Sequence, residues 1–145
     1  MIVESTRFGT LELTSDQAID FGAGLLGFPD SCTYVLIELP DDDDYLWLQS
    51  VDQPELAFLL TRPWGFFPDY EIDVPDAVTA EIELDSPADS EVFLLLTVHR
   101  TEDEEASGLT ANLLGPIVLN TRMRLARQLV LENETYGTRE PLVKA

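Results

Sequence analysis

The stretch TANLLGPIVLN, residues 110–120, places aliphatic side chains between two asparagines and interrupts them with a Gly-Pro pair. It contains no nucleophile, no base stronger than an amide and no good metal ligand, so it makes a poor catalytic loop. Its composition instead predicts two short strands joined at a break at Gly115-Pro116, since proline removes one hydrogen bond from a strand ladder. We expect the amides of Asn112 and Asn120 to bond backbone groups of the adjoining loops.

Short apolar runs bounded by Gly, Pro, Asp and Ser recur outward from this stretch, and helical periodicity is scarce. This pattern is typical of antiparallel β-structure. The first two runs flank a turn at residues 7–9 and predict a hairpin. The run at 91–100 is almost continuously apolar, which predicts a central strand covered on both faces. The predicted strands are 1–5, 10–13, 18–21, 33–39, 45–51, 56–61, 91–100, 109–114, 116–120 and 126–132.

One helix is predicted, beginning at Pro75-Asp76 and ending near Ser86-Pro87. Proline suits the first helical position, and a carboxylate is favourable at the positive end of a helix. With at least eight strands, the chain of 145 residues is predicted to be mostly β, as a small antiparallel β-barrel-like single domain with one short helix. We expect that domain to span residues 1–140 and residues 141–145 to form a loose tail.

The charge is strongly acidic, with 28 acidic and 8 basic residues and a net charge of −20. Residues 1–105 hold 25 acids and 3 bases, whereas residues 106–145 hold 3 acids and 5 bases. This balance disfavours direct binding to nucleic acid, because phosphates are neutralised by Lys and Arg. Two explanations stay open: an acidic surface that attracts a basic partner, and a general adaptation for solubility or high salt.

The location is expected to be cytoplasmic. The sequence has no apolar run long enough to span a bilayer, and its first residues do not resemble a signal peptide. A single cysteine, Cys32, has no partner for an internal disulfide, which fits a reducing compartment.

No catalytic, metal or cofactor site is predicted. Cys32 is expected to be a small packed thiol, and His99, the one histidine, an ordinary residue near a strand end. The acidic runs at 41–44 and 102–105 lack the spacing of a calcium loop and are expected to be solvated turns. The GAGLLG segment at 22–27 lacks the strand-to-helix setting of a dinucleotide fingerprint and predicts a shaped loop.

Several segments, taken in order along the chain, form a specific pattern. They are IDFGAGLLGFPD at 19–30, WLQSVDQPELAFLL at 47–60 and ANLLGPIVLN at 111–120, followed by Gln128 and Tyr136. This pattern resembles the FliW family of flagellar assembly factors. The resemblance covers almost the whole chain and implies a small, mostly antiparallel β-barrel-like domain.

The resemblance also implies a non-enzymatic protein with two partners and no cofactor. One partner is newly made flagellin, and the other is CsrA, a basic RNA-binding translational repressor. Export drains flagellin, the freed FliW-type protein sequesters CsrA, and flagellin translation resumes. Whether the two partner sites overlap and how many copies assemble are left open.

The partner-contacting residues expected on this basis are mainly apolar, because the partner-binding ends of flagellin are amphipathic helices. They are Leu25, Leu26 and Phe28 in the glycine-rich loop, Phe66, Phe67 and Tyr70 in an aromatic segment, and Asn112 and Asn120. Core packing is the competing interpretation for the aromatic and aliphatic members. The alternative function is a small-ligand-binding β-barrel, with a pocket lined by Trp47, Phe58 and Phe93.

Overall fold

The computed structural model describes residues 1–98 and 108–142. Within these ranges the chain forms one short helix, α1 (Asp76–Glu81), and short 3₁₀ turns at Ser15–Gln17, Pro63–Gly65 and Pro87–Asp89. The strands are β1 (Ile2–Ser5), β2 (Gly9–Glu12), β3 (Ala18–Asp20), β4 (Thr33–Glu38), β5 (Tyr45–Ser50), β6 (Ala57–Thr61), β7 (Ser90–Val98), β8 (Leu109–Ala111), β9 (Ile117–Asn120), β10 (Leu125–Gln128) and β11 (Glu140–Pro141).

Seven of these strands close into a barrel in the order β3-β4-β5-β6-β7-β9-β10, which returns to β3. Neighbouring strands are antiparallel except β10 and β3, which run parallel and share the single register pair Leu125 with Asp20. β1 and β2 form a separate hairpin. The described residues thus confirm a mostly β, barrel-like fold with one short α-helix.

The stretch at 110–120 splits between two partners on one edge of β7. β8 pairs with the end of β7 up to Leu96 opposite Ala111, and β9 pairs with its beginning from Phe93 opposite Ile117. Between these pairs, two residues of β7 face the five residues 112–116, which form a large bulge. The bulge lets β9 close the barrel while β8 leaves it, and it ends the predicted strand 109–114 at Ala111.

The core is divided by the barrel wall. The cluster inside the barrel comprises Ile19, Phe21, Leu25, Tyr34, Leu46, Leu48, Leu60, Phe93, Ile117, Leu119 and Ala126. Outside the wall, one cluster forms around Tyr70, Leu94, Ala111, Leu113 and Leu142, and another around Ile82, Val92, Val118 and Leu129. β7 therefore buries side chains on both faces, as expected for its apolar run; residues 99 and 100 of the predicted strand lie outside the described ranges.

Helix α1 begins where expected but ends at Glu81, well before Ser86-Pro87. The reason is tertiary. The side-chain amide of Asn120 donates to the carbonyls of Ile82 and Glu83 at 2.8 and 3.1 Å. Glu83 also adopts a left-handed conformation with φ of 54°. Both features stop the helical hydrogen-bond pattern.

The expected loose tail at 141–145 is wrong for its first two residues. Pro141 pairs with Thr110 in the β11–β8 ladder, and Leu142 is buried in the cluster around Tyr70. Burial of the Leu142 side chain in this cluster stabilises the segment by more than the conformational entropy lost in ordering it. Residues 143–145 lie outside the described ranges. No helix in the described ranges is long and apolar enough to cross a membrane.

Candidate functional site

The glycine-rich loop at residues 22–31 is a tightly bonded structure. The Asp20 carboxylate accepts the Gly22 N–H at 2.7 Å, and the N–H groups of Gly24 and Phe28 donate to the carbonyls of Phe21 and Leu25. Gly24 has φ of 86°, and a Cβ there would lie 2.6 Å from the Phe28 carbonyl oxygen. Only glycine fits this position, so the loop is shaped by its backbone, as predicted.

This loop presents two apolar side chains to solvent. Leu26 is 62% exposed and Phe28 is 39% exposed, with the Phe28 ring edge-on to Phe58 at 5.1 Å. Leu25, between them and the barrel, is buried in the core. The expectation that Leu25 contacts a partner is therefore wrong, because its side chain packs in the core and fixes the loop. Leu26 and Phe28 remain accessible to a partner. We call these two residues the apolar tip.

Gln128 ties the loop to the bulge. Its side-chain oxygen accepts the Leu26 N–H at 2.9 Å, and its side-chain nitrogen donates to the Gly115 carbonyl at 3.1 Å. A Cβ on Gly115 would lie 2.8 Å from that nitrogen, so glycine leaves room for the bridge. The sequence pattern marked Gln128, but Leu26 lies 102 residues away, and the sequence offered no signal for their pairing.

The aromatic segment at 66–70 is largely structural. Tyr70 is buried, and its hydroxyl donates to the Leu113 carbonyl at 2.6 Å. The expectation that Tyr70 contacts a partner is therefore wrong. Burial raises the pKa of the Tyr70 phenol above its ordinary value. Phe66 and Phe67 are half-buried against the same cluster and show only part of each ring.

The two asparagines act mainly within the fold. Asn120 is fully buried: its nitrogen donates to the α1 end, and its oxygen accepts the N–H groups of Arg122 and Met123. The expectation that Asn120 contacts a partner is therefore wrong, because every polar atom of its side chain is already bonded within the fold. Asn112 is half-buried, and its oxygen accepts the Leu114 N–H at 3.0 Å inside the bulge.

The barrel interior is filled by its own side chains. The free space among the residues that include Leu48, Phe93 and Ile117 amounts to about 10 Å³, which is at the lower limit for one water molecule. Trp47 points away from this interior, since it alternates with the buried Leu46 and Leu48 along β5. The Arg7 guanidinium carbon lies over its ring, 4.2 Å from the ring centroid. The expected ligand pocket of Trp47, Phe58 and Phe93 is therefore not formed.

Within the described ranges, the side chains that could act in catalysis or bind a metal ion do not come together in one site. The Cys32 thiol donates to the Pro29 carbonyl at 3.4 Å, and no group of His, Cys, Asp and Glu is arranged to hold a metal ion in residues 1–98 and 108–142. The Asp42 carboxylate accepts the N–H groups of Asp44 and Tyr45, as in a solvated turn. His99 and the acidic run at 102–105 lie outside the described ranges.

Acidic side chains greatly outnumber their ion-pair partners. In the described ranges Arg62 contacts Glu38 and Glu91, Arg122 contacts Asp85 and Asp89, and Arg127 contacts Glu81, at 3.2 to 3.7 Å. With a net charge of −20, most carboxylates have no base to balance them. The surface field is therefore negative and favours cationic partners.

Comparison with known proteins agrees with this architecture. The family model described as FliW protein matches residues 2–142. The chain is 38% identical over 143 residues to the flagellar assembly factor FliW of Magnetococcus marinus, covering 99% of this chain and 85% of that protein. It is 38% identical over 144 residues to the flagellar assembly factor FliW of Moorella thermoacetica, covering 99% and 89%.

A solved structure shows the same fold. The crystal structure of the flagellar assembly factor FliW superposes with a TM-score of 0.86 at 32% identity, covering 99% of this chain and 97% of the other. With a family match across nearly the full length, a barrel of the same topology and the expected motifs at the loop and bulge, this chain belongs to the FliW family of flagellar assembly factors.

Proposed function

We propose that this chain binds flagellin and antagonises the RNA-binding repressor CsrA, so that flagellin synthesis follows flagellin export in the cytoplasm. The chain acts by protein-protein contact rather than by catalysis. Flagellin occupies it when unexported subunits accumulate, and CsrA is then free to repress. Export empties it again, and it sequesters CsrA.

The observation that carries the proposal is the apolar tip. Leu26 and Phe28 project from a loop whose backbone is fixed by Gly24 and by the Gln128 bridge. A rigid apolar projection loses little entropy on binding and suits the apolar face of an amphipathic helix. Flagellin is the proposed partner that supplies such a helix.

The excess of carboxylates supports the second partner. CsrA is basic because it binds RNA, and a chain of net charge −20 attracts it over about 8–10 Å at physiological salt. The filled barrel interior argues against the alternative of a small-ligand carrier.

The direct test is a pull-down with purified flagellin and CsrA, each alone and then in competition. We expect both to bind and flagellin to displace CsrA. Binding to neither would refute the proposal.

A charged substitution tests the apolar tip. We expect Leu26→Asp to weaken flagellin binding by at least about tenfold, because it puts a charge into a desolvated apolar contact. Ile2→Asp is the matched control, since Ile2 is 63% exposed, lies on the β1–β2 hairpin and gains the same charge. Equal affinities of the two variants, measured by titration calorimetry, would exclude the tip as the contact.

A further inference from the structure

A groove outside the glycine-rich loop lies between residues 71–75, which form no helix or strand, and residues 130–136, which follow β10 and include a turn at 134–135. Its volume is about 480 Å³, within the range of binding clefts. The Tyr136 hydroxyl joins the two sides at one end, where it accepts the Glu71 N–H at 2.9 Å and donates to the Glu71 carbonyl at 3.2 Å.

On one side of the groove, residues 129–131 continue beyond β10 as extended backbone that pairs with the bulge at alternate residues. The N–H groups of Leu129 and Leu131 donate to the bulge carbonyls at Pro116 and Leu114. Because alternate residues of an extended chain point to opposite edges, the backbone groups of Val130 and Glu132 point away from the bulge.

On the facing side, residues 71–75 lie outside any helix or strand. Within the described ranges, no hydrogen bond reaches the N–H groups of Ile72, Asp73 or Val74. An extended segment with unpaired backbone groups is a template for an added strand.

The side chains of the groove define what such a strand must carry. Glu71, Asp73 and Glu132 are exposed along it, and none of the residues that line it in the described ranges is Lys or Arg. Between these carboxylates lie Val130, which is 69% exposed, and the half-buried Ile72. The complementary segment alternates basic and apolar side chains, so that its cations meet the carboxylates while its apolar side chains cover Val130 and Ile72.

We propose that this groove docks an extended, basic segment of a partner protein by strand addition, through residues other than those of the apolar tip. The proposal rests on the proposed function for the identity of that partner, the basic repressor. The backbone groups of Val130 and Glu132 supply the new ladder, and the three carboxylates select for positive charge.

A neutralised groove tests the charge requirement. The triple variant Glu71→Gln, Asp73→Asn and Glu132→Gln is expected to bind CsrA about tenfold more weakly, since each partly exposed ion pair contributes a few-fold. Its matched control is Asp41→Asn, Asp43→Asn and Glu55→Gln, which changes the net charge equally at exposed positions elsewhere. Equal losses in the two variants would overturn the groove and leave the proposed function standing.

Amide hydrogen exchange tests strand addition directly. On adding CsrA, the fast-exchanging amides of Val130 and Glu132 are expected to become protected, while the Ile2 amide at the outer hairpin serves as the reference. Binding without protection of Val130 and Glu132, as a helical occupant would give, overturns the proposal.

A second experiment tests whether the groove accepts a strand at all, whichever protein is the natural partner. If CsrA does not bind at all, the CsrA part of the proposed function fails. A ten-residue peptide of alternating lysine and valine then tests the groove by itself. Protection of Val130 and Glu132 by that peptide, lost in the triple variant, supports the groove. Absence of protection at millimolar peptide overturns it.

Discussion

At the scale of single residues, buried amides hold distant parts of the chain together. Asn120 joins the end of α1 to the turn between β9 and β10 through four hydrogen bonds. The Gln49 oxygen accepts the Ser5 hydroxyl at 2.7 Å, and its nitrogen lies 3.0 to 3.2 Å from the carbonyls of the turn after β5, at residues 50, 54 and 56. These side chains are parts of the backbone hydrogen-bond network rather than contacts for a partner.

Asn120→Ala is expected to lower the free energy of unfolding by about 2–4 kcal/mol, because it removes one buried and three partly buried hydrogen bonds to the backbone. Urea denaturation measures the change. Asn133→Ala is the control: its side-chain oxygen accepts the exposed Thr135 N–H at 2.8 Å, and the expected loss is below about 1 kcal/mol. Similar losses in both variants would contradict the structural role of Asn120.

Tyr70 makes stability sensitive to alkaline pH. Burial raises the pKa of its phenol in the folded state, so the neutral form is favoured there. The unfolded chain releases this proton near pH 10, and the free energy of unfolding is therefore expected to fall as pH rises above about 10. Below that pH the contribution is fully present.

Unfolding midpoints between about pH 8 and 11 measure this effect. Tyr70→Phe is expected to flatten part of the alkaline decline and to cost about 1–3 kcal/mol at neutral pH, because the Leu113 carbonyl loses its donor. The Tyr34 phenol, whose pKa burial also raises, keeps a residual slope. An unchanged slope in Tyr70→Phe would contradict the assignment.

At the scale of elements, the glycine-rich loop and the bulge depend on each other through Gln128. Gln128→Ala is expected to speed hydrogen exchange of the Leu26 amide by about tenfold or more, since that amide loses its acceptor. Flagellin binding is expected to weaken several-fold because the apolar tip is no longer fixed.

Gln53→Ala is the control for this bridge, since Gln53 is also half-buried but lies outside the loop and the bulge. Exchange mass spectrometry and a binding titration give the two readouts. An unchanged Leu26 amide in Gln128→Ala would show that the bridge does not hold the loop.

At the scale of the whole molecule, the net charge of −20 governs how the chain meets a basic partner. The association rate with CsrA is expected to fall by about tenfold between roughly 50 and 500 mM salt, because screening shortens the range of attraction. Stopped-flow measurements with flagellin as the comparison would test this. A salt-independent rate would assign the acidity to solubility instead.

Much of this fold followed from local sequence patterns. Strands β4, β5 and β6 lie within one or two residues of their predicted bounds, because alternating apolar residues with Pro and Asp at the turns define them locally. Local patterns also predicted three further features: the hairpin at the start, the glycine-rich loop and the break at Gly115-Pro116. The apolar tip was included among the predicted contacts, but so were Leu25, Tyr70 and Asn120, which are buried.

What the sequence alone determined is therefore the class of fold, the family and the sign of the charge, since each depends on composition or on residues near one another in the chain. The tertiary structure decided which of two adjacent leucines faces solvent, where α1 ends, and that Leu142 belongs to the core. It also decided that residues 110–120 divide between two partners on β7. These outcomes depend on contacts between residues tens of positions apart, such as Asn120 with Ile82 and Gln128 with Leu26, and local propensity carries no information about them.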